Sequence, residues 1–157
     1  MEFVKRVLAV FLVLTAIAAA LNLILTPVYH DGSPDYPIWR ILNWFMAGAV
    51  LVCLVEAFLQ TRVTAKSGAG TFERLRTSAI FYGAIVLTML YFWEWFWTLN
   101  PESETGDAVT SHIVYFPIVD ALFVVISLAV GRHLWNDRGE AGPKAGGRTD
   151  GDGASAS

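Results

Sequence analysis

Four long apolar runs divide the chain, covering roughly residues 4–26, 39–60, 77–99 and 113–135. Each is close to the roughly 20 residues of helix that cross a bilayer. In hydrocarbon a backbone must satisfy its own hydrogen bonds, so each run predicts a helix. No run alternates at period two over the length of a membrane-barrel strand. The connections carry turn formers without a periodic apolar face: VYHDGSPDYP at 28–37, RVTAKSGAGTFER at 62–74 and NPESETGDAVTS at 100–111. Residues 137–157 hold Gly, Ala, Ser and Asp but no large apolar residue, and are expected to form a disordered cytoplasmic tail. The expected fold is an all-α integral membrane protein, an antiparallel four-helix transmembrane bundle over residues 1–136.

The first run has a second reading. Lys5 and Arg6, an apolar stretch and AIAAA also describe a signal peptide cleaved near Ala20. The run continues through LNLILTP, longer than a usual signal core, which favours retention as a helix. Cleavage would leave three helices in the same orientation.

Charge sets the orientation, because basic residues resist translocation. Lys5 and Arg6 precede the first run. Arg62, Lys66, Arg74 and Arg76 flank the second connection, and Arg132, Arg138, Lys144 and Arg148 follow the fourth run. Of the eleven Lys and Arg, only Arg40 lies elsewhere. The other two connections and their ends carry Asp31, Asp35, Glu102, Glu104 and Asp107. Both termini are therefore expected in the cytoplasm of a multi-pass cell-membrane protein, N-in and C-in.

Composition narrows the function. Hydrophobic residues make up 55% of the chain, high for a water-soluble protein. A net charge of -3 gives no basic surface for nucleic acid. The single cysteine, Cys53, excludes an internal disulfide and a CxxC pair, and reads as a small apolar filler. There is no Gly-rich phosphate loop, HExxH or Ser-His-Asp set, so no nucleotide is expected. No histidine lies mid-span, which argues against haem held by two histidines. No internal repeat is visible, which weakens the case for a self-contained transporter.

The candidate chemistry lies in LYFWEWFWTLNP at 90–101, where Glu94 is enclosed by aromatics. Trp93, Trp95 and Trp97, with Trp39, Trp44 and Tyr115, read as an interfacial aromatic belt. Glu94 sits about 9 Å below the outer helix end and Asp120 about 10 Å below Ile113, at 1.5 Å per residue. Asn22 and Asn43 fall in the same outer third, so each helix brings one polar group to one layer. His30 and His112 sit just above it. Intramembrane carboxylates usually face a partner or water.

Three readings follow for this layer. Its groups can fix packing by hydrogen bonds between helices. Glu94 and Asp120 can share a proton or bind a cation, with amide oxygens from the asparagines. His30 and His112 can join Glu94 and Asp120 as a metal site. Glu56, nearer the inner side, reads as an ion-pair partner of Arg62, Arg76, Arg132 or His133, or as the inner end of a proton path. Pro117, one turn before Asp120, frees the carbonyl of Ile113. Ala16, Ala20, Ala47, Gly48, Gly83 and Ala84 allow helices to approach closely.

The leading functional expectation is a non-catalytic subunit or assembly factor of a larger membrane complex. The alternatives are a small proton- or cation-coupled carrier or channel using Glu94 and Asp120, and a metal-binding enzyme subunit with its site in the outer leaflet. The expected partners are the lipid bilayer and other membrane subunits or further copies of the chain.

Overall fold

The computed structural model of the chain describes residues 2–29, 37–99 and 107–136, with the backbone alone at 98 and 107–114. They form four helices: α1 (Glu2–Tyr29), α2 (Pro37–Lys66), α3 (Thr71–Thr98) and α4 (Asp107–Asn136). All four are long and apolar enough to cross a membrane. The two acidic connections and the tail at 137–157 lie outside the described residues, apart from residues 28, 29 and 37 and the helical backbone at 107–111.

The helices outrun the apolar runs that predict them. Most of the connection expected at 62–74 is helical, and only Ser67–Gly70 separates α2 from α3. Hydropathy marks where a helix meets hydrocarbon, not where its backbone bonding stops. Val63, Thr64, Ala65 and Lys66 therefore carry α2 onward. It ends where Gly68 adopts φ +67°, a left-handed conformation that glycine takes without strain. The Ser67 N–H still donates to the Val63 carbonyl at 3.0 Å. The carbonyl of Gly70, two residues after Gly68, accepts from Arg74 N–H at 3.1 Å, the first bond of α3. At the other end α1 runs one turn past the expected boundary, through Pro27, and α4 starts at Asp107 instead of near 113.

Neighbouring helices run antiparallel, as their side-chain contacts show. Trp39 near the start of α2 meets Thr26 near the end of α1. Tyr91 late in α3 meets Asn43 early in α2. Gly131 late in α4 packs on Leu12 and Val13 early in α1. α1 packs most extensively on α4 and α2 on α3, α2 and α4 meet across the middle, and α1 and α3 stand at opposite corners.

Each helix sends a 3-4 spaced seam inward. In α1 it is Ala9, Leu12, Thr15, Ala16, Ala19 and Asn22. In α4 it is Val119, Phe123, Ile126, Val130 and Leu134, joined by Asp120 and Ser127. The interior is rich in alanine, and the large apolar side chains point outward, as with Ile24 at 69% and Val125 at 62% exposure. Such a surface suits hydrocarbon rather than water. The close approaches rest on small residues: Ala16, Ala47 and Ala84 are buried, and a Cβ at Gly131 would lie 3.1 Å from Val13 Cγ2 and 3.5 Å from the Ala9 carbonyl.

Gly131→Ala is therefore expected to force α1 and α4 apart and to cost about 1–3 kcal/mol, read as a lower unfolding midpoint in detergent. An unchanged midpoint in Gly131→Leu would refute the close approach.

Candidate functional site

At one end of the bundle the inward seams turn polar. Asn22 closes the seam of α1, Glu94 that of α3, and Asp120 lies at the start of that of α4, with exposures of only 8%, 6% and 5%. Contact register shows that three helices meet at one level. Gly131 against Leu12 and Val13 sets Asn22 opposite the turn of Asp120. The Trp39–Thr26 contact sets Asn22 opposite Asn43. Asp120 in turn lies within electrostatic reach of Glu94 and of the Tyr91 hydroxyl. The polar layer expected from depth alone is thus brought together around α4, with Asn43 half-buried at its edge.

The hydrogen bonds of the layer are specific. Tyr91 donates its hydroxyl proton to the Asn43 main-chain carbonyl at 2.6 Å. Its oxygen lone pairs remain able to accept from a neighbouring carboxyl. The Tyr29 hydroxyl donates to Asn22 Oδ1 at 2.7 Å. Thr26 donates to the Asn22 main-chain carbonyl at 2.6 Å and accepts from Trp39 Nε1 at 3.3 Å. Asn22 Nδ2 is buried with no acceptor among the described residues. An orphaned donor of this kind costs roughly 1–3 kcal/mol, and the Tyr29 bond holds only the oxygen end of the amide. Among the described residues neither Glu94 nor Asp120 forms a salt bridge; the Arg76–Glu73 pair lies at the far end.

Beneath this layer the buried core is mainly apolar, with the hydroxyls of Thr15 and Ser127 among it. Met46, Val50, Leu87 and Phe123 are fully buried within two turns of Asn43, Glu94 and Asp120. Further along, Cys53 Sγ lies 3.7 Å from Ser127 Oγ, so the cysteine has a polar neighbour beyond its filler role. Glu56 stands apart. It lines a groove between α1 and α2, and the ion pairs expected of it do not form among the described residues: Arg76 reaches Glu73 at 3.6 Å and Arg62 lies over the Phe58 ring at 4.4 Å.

Four of the six tryptophans, Trp44, Trp93, Trp97 and Trp135, face outward. Trp95 is half-buried and meets Trp44 edge-on at 4.8 Å. Among the described residues no three His, Cys, Asp or Glu cluster as a metal site would require. His30 lies outside those residues, and only the helical backbone of His112 is described. α4 continues through Pro117, leaving the Ile113 carbonyl without its usual donor one turn before Asp120.

Tyr91, Tyr29 and Thr26 were not among the candidates, although they supply the bonds of the layer. Tyr91 follows Ala84 and Leu87 and precedes Glu94 at 3-4 spacing, a seam that reads inward. Comparison of the chain with protein-family models, curated proteins and solved structures found no match.

Asp120 lies within electrostatic reach of Glu94, and carboxyl oxygens suit a proton or a hard cation. An acid kept for binding does not support the fold. Glu94→Gln and Asp120→Asn are expected to leave the unfolding midpoint unchanged or to raise it, whereas Tyr91→Phe should lose about 0.5–1.5 kcal/mol. A large loss in both acid variants would make the acids structural.

Proposed function

We propose that the chain is an integral membrane protein of the cell membrane, inserted with both termini in the cytoplasm, and that it is an accessory subunit of a larger membrane assembly. In this reading Glu94 and Asp120 take up a proton or a cation from the outer side. The apolar exterior of four span-length helices supports insertion. The basic residues gathered at one end support the orientation. The observation that carries the choice of subunit over conduit is the fully buried apolar packing of Met46, Val50, Leu87 and Phe123 within two turns of the acids. In this reading that packing closes the way to the other side.

The proximity of Glu94 and Asp120 also favours a second reading, a carrier in a closed state, in which the same packing opens during transport. Purified protein in liposomes separates the two. The subunit reading expects no proton or sodium flux above empty vesicles, together with a stoichiometric membrane partner in mild-detergent pulldowns. Flux that disappears in Asp120→Asn would establish the carrier.

The orientation has its own test. In a Cys53→Ala background, Ser103→Cys should react with a membrane-impermeant maleimide in intact cells. Ser67→Cys should react only after permeabilisation. The reverse pattern would invert the topology.

A further inference from the structure

Glu56 is the acid that the layer at the other end does not absorb. It lies about 7 Å along α2 from the helix midpoint at 1.5 Å per residue, within an apolar slab of about 15 Å half-thickness. The buried seam of α2 runs through Met46, Val50, Cys53 and Ala57, and Glu56 lies beside it, half-buried. It forms one wall of a groove of about 230 Å³ completed by Leu8 of α1 and by Leu51, Val52 and Val55 of α2. Leu51 and Val55 are exposed, so the groove opens on the outside of the bundle. Lipid chains match its apolar walls and offer the carboxylate no donor.

The chain carries a complementary charge at nearly the same height. Ser127 faces Cys53 across the core, and α2 and α4 run in the same direction. That register sets Glu56 level with Val130, and Arg132 is two residues, or about 3 Å, beyond it. Arg132 is exposed and, among the described residues, forms no salt bridge with Glu56 or any other acid. The two groups therefore stand near one depth with opposite sign and do not meet within one molecule.

We propose that the α1/α2 groove is the docking surface for α4 of a second copy of this chain, whose Arg132 pairs with Glu56. This rests on the membrane-spanning reading above and adds a self-association to it. Groove and α4 are different patches, so the contact is head-to-tail and leaves a free groove on one copy and a free Arg132 on the other. An arginine fork on a carboxylate in an apolar slab fixes both depth and rotation of the joining helices.

The test is energy transfer between donor- and acceptor-labelled copies in phosphatidylcholine liposomes. Wild-type protein should associate, and Glu56→Gln and Arg132→Gln should each weaken association about tenfold. The double exchange Glu56→Arg with Arg132→Glu should restore it. A mixture of Glu56→Gln copies with Arg132→Gln copies keeps one intact groove and one intact Arg132 per pair, and should form pairs and nothing larger. Helical content measured by circular dichroism on each variant separates a lost contact from a lost fold. A monomeric wild type, or association that ignores Glu56→Gln, or a double exchange that fails to rescue, would overturn the proposal. A topology or partner pulldown that fails while self-association persists would instead sink the subunit reading alone.

Discussion

Gly131 brings the backbone of α4 against the side chains of Leu12 and Val13 and near the carbonyl of Ala9, and much of the bundle depends on contacts of this kind. Where both the surroundings and the interior are apolar, burying a large side chain gains little by leaving water. What then holds helices together is dispersion between closely fitted surfaces and hydrogen bonds across them. The chain is built for that. Ala9, Ala16, Ala19, Ala47, Ala49, Ala57 and Ala84 fill the interior. The bulky residues are on the outside, where they would be a liability in water. The same economy of interior volume explains why one phenylalanine, Phe123, can help close the core below the acids.

Close approach also makes the polar layer possible. Small residues draw the seams together, so that the next residue on each seam is forced into contact with its neighbours. Asn22 follows Ala19 by three positions and Asp120 precedes Phe123 by three, so both inherit the inward direction of their helix. Tyr91 then spans to α2 and ties α3 into this end, since α3 stands at the corner opposite α1. Trp39 and Thr26 tie α1 to α2 at the same end. These bonds tie the helices at this end while leaving the buried Asn22 amide donor without a partner among the described residues.

The four helices and the residues of the layer were legible because hydropathy and depth are one-dimensional properties. Each run announced a helix, and counting along it placed Asn22, Glu94 and Asp120 at a common height. The ends of the helices were not legible in that way, because the helical bonding of Val63–Lys66 and of Asp107 onward continues where the hydropathy falls. Nor were the partners. Arg132 and Arg76 stand near Glu56 in height, but height says nothing about rotation around a helix, and within one chain these groups do not pair. Tyr91 was passed over because it sits in an aromatic run whose other members mostly face outward. Only its 3-4 spacing with Ala84, Leu87 and Glu94 marks it as different.

Glu56 and the Glu94–Asp120 pair show how one functional group acquires two roles from its surroundings. Both members of the pair are buried, and the Tyr91 phenol lies within electrostatic reach of Asp120. A group so enclosed by packed side chains is open only to small species. Glu56 faces outward across apolar walls, and no small polar species is stable in the hydrocarbon that would surround it. What meets it must bring its own apolar surface along with its charge, and a helix carrying an arginine does both. The difference lies in which face of the helix carries the acid, and that is set by the alanine seams.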